Sequence, residues 1–138
     1  GILVGLTRDS NRCHIARASL EGIALSVSTL VDLAEQALGH GLGELAVDGG
    51  AAASDPLLQA QANSTGLTVR RPASLESTAR GVALFAGLQA GVINDLNDLA
   101  VQRRDGAELF QPKLNAAQRK AWRTRWDDAV TRSLNWHG

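Results

Sequence analysis

The chain has 138 residues, 44% of them hydrophobic, which is enough for one domain with a buried core. Its 14 basic and 14 acidic side chains balance, which argues against a strongly basic surface for nucleic acid, and no run approaches the roughly 18 apolar residues of a membrane span. The single cysteine, Cys13, excludes an intrachain disulfide and fits a reducing cytoplasm, so we expect a cytoplasmic protein. From the balanced charge and the short apolar runs we expect it to bind neither nucleic acid nor membrane.

The first half of the chain predicts strands alternating with helices. Its elements are, in chain order, a strand at 2–6, a polar loop at 7–12, a long helix at 13–38 and a strand at 44–47. The long helix follows from apolar residues that recur every three or four positions, and Gly39 is predicted to end it. A second helix is predicted to begin at Asp55-Pro56, with Asp55 as the cap, and to end near Gly66.

The second half continues the alternation. Its elements are a strand at 67–70, a helix capped by Ser74 or Ser77 that runs to about Gly91, a connector at 94–102, an extended piece at 109–112 and a last helix that Asn115 opens. The helix before Gly91 is rich in small residues, so we expect another element to pack closely against it. In the last helix Asn115 and Gln118 form a capping-box pattern, and Trp122 and Trp126 indicate docking onto the domain rather than base stacking. The whole pattern predicts an α/β domain with a layered sheet.

Two adjacent glycines follow the strand at 44–47, in the stretch VDGGAAASDP. A strand-to-helix turn needs one left-handed glycine, whereas Gly49 and Gly50 stand together after Asp48. Glycines let backbone N–H groups approach an anion or a flat ring, and ligands of open α/β sheets bind beyond the carboxyl ends of strands. The motif alone therefore leaves a ligand-binding loop and a plain turn equally open. It is not a P-loop, because Gly-Lys-Ser/Thr is absent.

The remaining polar residues of interest have structural interpretations. His14 is interpreted as a histidine at a helix start that makes one hydrogen bond, and Cys13 as a packed thiol without a base partner. The arginine pairs at 70–71 and 103–104 are interpreted as solvated surface. The three histidines and one cysteine have no metal-ligand spacing, so no metal site is predicted.

Residues 1–24, GILVGLTRDSNRCHIARASLEGIA, carry a more specific pattern of Gly-Leu, seven residues, and His-Ile followed by Ala-Ser-Leu-Glu. This pattern resembles the second signature of the FGGY carbohydrate kinases. All of its positions are met, by Gly1, Leu3, Gly5, Leu6, His14, Ile15, Ala18, Ser19, Leu20 and Glu21. VDGGAAASDPLLQAQANSTGLTVRRP and LESTARGVALFAGLQAGV resemble later segments of the glycerol-phosphorylating branch, and the similarity loosens after about Asp105.

The resemblance implies an actin-like, ribonuclease H-like ATPase fold, and transfer of the ATP γ-phosphate to a glycerol hydroxyl with Mg²⁺, which leaves ADP. In the family the two glycines after Val-Asp pack against the nucleotide, and here they are Gly49 and Gly50. The family has an asparagine four positions after the second glycine that also contacts the nucleotide, and Ser54 takes that position here. The resemblance therefore implies three nucleotide-binding residues, with no catalytic residue and no metal ligand in this chain.

The resemblance also implies that residues 1–138 are part of a C-terminal nucleotide-binding domain whose N-terminal substrate domain is missing. The family's catalytic aspartate, glycerol-binding residues and phosphate loop all precede this segment, so we expect the chain alone to lack kinase activity. Surface that faces the missing half should allow self-association, which light scattering would detect. Two alternatives remain, namely another FGGY polyol or sugar kinase, or a non-catalytic module that keeps the fold for interactions.

Overall fold

The computed structural model describes residues 1–95 and 106–134, and it is a mixed α/β structure as predicted. Its elements are α1 (Arg12–Leu38), β1 (Glu44–Ala46), a short 3-10 helix (Gly50–Ala53), α2 (Asp55–Thr65), β2 (Thr68–Arg71), α3 (Ser77–Gln89), β3 (Glu108–Phe110) and α4 (Ala116–Ser133). No helix within these described ranges is long and apolar enough to cross a membrane. The predicted connector at 94–102 lies mostly outside the described residues.

The three strands form one sheet in the order β1-β2-β3. β1 and β2 are parallel, with Leu45 opposite Val69, and α2 makes the crossover between them. β3 runs antiparallel to β2, with Phe110 opposite Val69 and Glu108 opposite Arg71. Because β1 and β2 are parallel, their carboxyl ends meet at the same edge of the sheet, and the two-glycine loop leaves β1 at that edge.

Helix α2 carries the core, because it packs on the sheet with one side and on α1 with the other. On the sheet side Leu58, Ala62 and Val69 are buried. On the other side Leu57 and Ala60 pack with Ala24 of α1, and partly buried Leu20 and Trp122 close that cluster. Ala24 is fully buried, and its carbonyl accepts a hydrogen bond from Ser64 Oγ at 3.0 Å, so the two helices approach closely there.

The predicted C-terminal end of α1 is confirmed, and the helix begins at Arg12, one residue earlier than predicted. Asn11 Oδ1 accepts a hydrogen bond from the Cys13 N–H at 2.9 Å, and His14 Nδ1 accepts one from the Asn11 N–H at 3.2 Å, which completes a capping box. His14 therefore has the predicted structural role. Gly39 ends the helix in the left-handed conformation, at φ 72°. The prediction for Cys13 is wrong: its thiol is exposed, because the first turn of α1 faces solvent.

The last helix docks as its tryptophans predicted. Asn115 and Gln118 form the expected capping box at the start of α4. Trp122 packs against the Ala24 cluster, and the ring of Trp126 lies over Gly22, where a Cβ would come 3.6 Å from the ring. Arg123 of α4 also pairs with Asp32 of α1.

Two predictions about the other elements are wrong, and a third holds only in part. Residues 2–6 are exposed coil rather than a strand, because among the described residues no strand pairs with them and a strand needs a ladder partner. Helix α3 starts after Glu76, whose side chain makes no capping bond, so neither Ser74 nor Ser77 is the cap. None of the residues of α3 is buried, and a Cβ on Gly81 would meet no described atom within 4 Å. At Gly87, however, a Cβ would come 2.7 Å from Ile93 Cδ1, so the expected close packing is present at Gly87 and absent at Gly81.

Candidate functional site

The two adjacent glycines have different structural reasons for being glycine. Gly49 has φ 80° and ψ 178°, a region that only glycine occupies readily, and its N–H donates to the Leu75 carbonyl at 3.1 Å. Its backbone conformation therefore explains Gly49 fully. Gly50 lacks a left-handed φ, and a Cβ added to it would meet no described atom within 4 Å. Neither the backbone nor packing among the described residues requires a glycine at position 50.

The loop presents backbone donors to solvent beside Gly50. The Ala52 N–H donates to the Gly49 carbonyl at 3.0 Å, and the Ser54 N–H donates to the Ala51 carbonyl at 3.1 Å. Within residues 1–95 and 106–134, the N–H groups of Gly50 and Ala51 donate no hydrogen bond. These two donors lie at the carboxyl edge of the parallel strands, where α/β sheets bind ligands.

Ser54 both closes the loop and caps α2. Its Oγ accepts a hydrogen bond from the Leu57 N–H at 3.4 Å, and its backbone is extended, at φ −91° and ψ 100°. The predicted cap, Asp55, is instead the first helical residue, since its backbone is already helical. The Ser54 oxygen accepts this capping hydrogen bond, and its O–H can still donate to a ligand.

The residue that sequence reasoning missed is Arg71, at the end of β2. Its Nη1 donates to the Ala52 carbonyl at 2.9 Å and pairs with Asp55 Oδ1 at 2.8 Å, while Nη2 pairs with Glu108 of β3. Its guanidinium also lies 5.1 Å from the centre of the Phe110 ring. The side chain thus connects the glycine loop, the start of α2 and the strand β3.

Arg70 and Arg71 are both largely buried and ion-paired, so the interpretation of this arginine pair as solvated surface is wrong. The side chain of Arg71 is 14% exposed and that of Arg70 is 20% exposed, and Arg70 Nε pairs with Glu44 Oε1 at 2.7 Å. Strand alternation carries a signal that could have found Arg71: it lies two residues after Val69, on the face that packs against α2. The other pair, at 103–104, lies outside the described residues.

The described residues do not form a metal site of their own. Nowhere in 1–95 or 106–134 do three His, Cys, Asp or Glu side chains converge. The acidic groups nearest the loop in sequence are Asp48, which is exposed, and Asp55, which Arg71 engages. No protein-only cage for Mg²⁺ is present in this part of the chain.

The sequence matches known proteins along its whole length. Residues 1–90 match the model of the FGGY family of carbohydrate kinases, C-terminal domain. A glycerol kinase of Rhodopirellula baltica is 44% identical over 137 residues, which are 99% of this chain and 25% of that protein. A glycerol kinase of Dechloromonas aromatica is 44% identical over 137 residues, 99% of this chain and 27% of that protein. The chain thus spans about a quarter of the length of the curated relatives it matches.

Solved structures match the fold as well. A Plasmodium falciparum glycerol kinase crystallised with ADP superimposes with a TM-score of 0.82 at 31% identity, covering 94% of this chain and 26% of that one. A ligand-bound xylulose kinase from Lactobacillus acidophilus gives a TM-score of 0.71 at 22% identity, covering 97% of this chain and 27% of that one. These kinases have the actin-like ATPase fold, so the predicted fold class is confirmed.

Proposed function

Because this chain belongs to the FGGY family of carbohydrate kinases and matches its C-terminal domain, we propose that it is the nucleotide-binding part of an ATP-dependent glycerol kinase. The proposed reaction of the whole enzyme transfers the γ-phosphoryl group of ATP to a glycerol hydroxyl and leaves ADP and glycerol 3-phosphate. Glycerol is the favoured acceptor because the glycerol kinases reach 44% identity, whereas the solved xylulose kinase reaches 22%.

The observation that carries the proposal is the open space at Gly50. This glycine has neither a left-handed φ nor a neighbour that a Cβ would strike. A ligand that lies against the backbone supplies the missing reason, since a side chain there would hold the ligand away. The homologous kinase from Plasmodium falciparum was solved with ADP, which supports a nucleotide as that ligand.

In this proposal each loop residue has its own part. Gly49 turns the chain, Gly50 gives the nucleotide its close approach, and the N–H groups of Gly50 and Ala51 can donate to it. Ser54 donates its O–H while its oxygen continues to cap α2. Mg²⁺, when bound, neutralises phosphate charge. We assign it no residue here, because the described side chains form no cage for it.

The experiment that tests the proposal measures nucleotide binding and phosphoryl transfer separately. We expect calorimetry on the purified chain to detect ADP binding, because the loop is already folded around its own hydrogen bonds. We expect no glycerol-dependent ADP formation from ATP, because phosphoryl transfer needs protein groups on both sides of the reacting phosphate. The described residues form only one side of such a site. Absence of heat at millimolar ADP would favour a non-catalytic interaction module. Glycerol-dependent ADP release would contradict the assignment of chemistry to other parts of the enzyme.

Replacing Ser54 with asparagine should tighten ADP binding several-fold and leave the free energy of unfolding within about 0.5 kcal/mol of the parent, because asparagine and serine cap helices equally well. Asparagine is also longer and adds an amide donor at the position where the family uses one. Calorimetry and urea unfolding measure the two effects. Ser54→Ala is the matched control and should lose about 1 kcal/mol of stability with the cap. An unchanged Kd in Ser54→Asn would show that this side chain does not reach the nucleotide.

Substrate choice and location complete the proposal. Another polyol or sugar as acceptor is the runner-up, and a panel of acceptors tested on the whole enzyme would decide between them. A cytoplasmic location is supported by the single, exposed Cys13, since secreted domains usually pair their cysteines. Recovery of the protein in the membrane or secreted fraction of fractionated cells would contradict that location.

A further inference from the structure

We propose that Arg71 is the positioning residue of the glycine loop: its guanidinium fixes the segment from Gly49 to Asp55 against the edge of the sheet, and so presets the donors that face the nucleotide. The ordering of the loop is independent of any ligand. Its effect on binding rests on the proposed function.

The contacts of Arg71 reach both the loop and the start of the helix that follows it. Nη1 holds the carbonyl of Ala52 at 2.9 Å, inside the 3-10 helix, and the carboxylate of Asp55 at 2.8 Å, in the first turn of α2. Nη2 pairs with Glu108, directly opposite on β3. One planar group therefore joins the glycine loop to two strands of the sheet, so the loop cannot shift without breaking charged contacts.

The contact between Arg71 and the Ala52 carbonyl also restrains the two glycines, because Ala52 is hydrogen-bonded to Gly49 through the backbone. Ala52 is 2% exposed, and its N–H donates to the Gly49 carbonyl at 3.0 Å. The peptide groups between Gly49 and Ala52 are therefore fixed at both ends. The unpaired N–H groups of Gly50 and Ala51 belong to this fixed segment, so Arg71 acts on them without touching the ligand.

The surroundings of Arg71 favour a guanidinium over an ammonium. Its hydrogen bond to Glu108 and, to a smaller extent, its hydrogen bond to Asp55 raise the pKa of Arg71 above its already high ordinary value, so the side chain stays charged. The flat group lies near the Phe110 ring at 5.1 Å while its two terminal nitrogens serve different partners. A lysine keeps the charge but has one nitrogen, which cannot hold the loop and Glu108 in the same geometry.

The test compares Arg71→Lys with Arg70→Lys. Arg70 is the matched control because it is adjacent on β2, similarly buried with 20% of its side chain exposed, and also ion-paired, but its partner is Glu44 of β1 and not the loop. Hydrogen exchange by NMR reports the loop through the N–H groups of Ala52 and Ser54, and reports the rest of the fold through α1. Calorimetry with ADP reports binding for the same samples.

We expect Arg71→Lys to speed exchange at Ala52 and Ser54 about ten-fold and to weaken ADP binding about ten-fold, as for loss of one charge-assisted hydrogen bond, while α1 stays protected. Arg70→Lys should leave both loop exchange and Kd unchanged. Parent-like loop exchange in Arg71→Lys, or equal loosening in both variants, would overturn the inference. If the parent chain binds no ADP but the loop still loosens only in Arg71→Lys, the positioning role stands and the proposed function fails.

A second pair of variants decides the matter if Arg71→Lys does not fold. Asp55→Asn removes the charge that pairs with Nη1 of Arg71, the nitrogen that also donates to the Ala52 carbonyl. Glu108→Gln removes the charge that pairs with Nη2 of Arg71. Faster exchange at Ala52 in Asp55→Asn than in Glu108→Gln supports the inference. Equal exchange in the two variants contradicts it.

Discussion

Replacing Gly50 with valine should weaken ADP binding on the order of a hundred-fold, the cost of filling space that a bound group needs. The free energy of unfolding should change by less than about 0.5 kcal/mol, because the new side chain would stand in open space and the backbone at this position is not left-handed. Calorimetry gives the Kd and urea unfolding gives the stability.

Gly49→Ala is the matched control for this experiment. At φ 80° and ψ 178° an alanine is strained, so this change should cost about 1–3 kcal/mol of stability. The two neighbouring glycines are thus expected to respond in opposite ways, one in binding and the other in stability. Unchanged ADP affinity in a folded Gly50→Val protein would contradict the proposal that a nucleotide approaches the loop here.

Replacing Leu58 with alanine should cost about 3 kcal/mol of unfolding free energy, within the roughly 2–5 kcal/mol typical of buried leucines. Leu58 is 1% exposed and packs with Ala62 and Val69, so its removal leaves a cavity between α2 and the sheet. Since α2 begins at the glycine loop, the same change should also reduce the fraction of protein able to bind ADP at elevated temperature.

Leu33→Ala is the control for the cavity. Leu33 lies on α1 and is 55% exposed, so the same chemical change should alter stability by less than about 0.5 kcal/mol. Urea unfolding followed by circular dichroism measures both variants, and equal slopes would show that the unfolded states are comparable. A Leu58→Ala midpoint equal to that of the parent would show that the sheet-side cluster does not hold the domain together.

The helices were predictable because their signals are local. The periodic apolar residues of α1, Asn11 before it and Gly39 after it lie within a few residues of the ends that they determine. The capping box at Asn115 is equally local and places the start of α4 correctly. At the start of α2, however, the sequence offers two neighbouring polar residues that can each cap a helix. The structure decides between them, because Ser54 has the extended backbone of a cap and Asp55 is already helical.

The strands and their partners were less predictable, because a strand depends on a second segment. Residues 2–6 are apolar enough for a strand, yet among the described residues no strand pairs with them. Arg70 and Arg71 are the same residue type at adjacent positions, but the pleat sends them to different partners, Glu44 for one and the glycine loop for the other.

The sequence by itself determined the family, the order of the helices and the loop in which Gly49, Gly50 and Ser54 stand, because each is written in contiguous residues. Only the tertiary structure separated Gly49 from Gly50 and assigned Arg71 to the loop. The reason is physical: a backbone φ, the open space around a Cβ and the reach of a guanidinium depend on atoms that the folded chain brings together from distant positions.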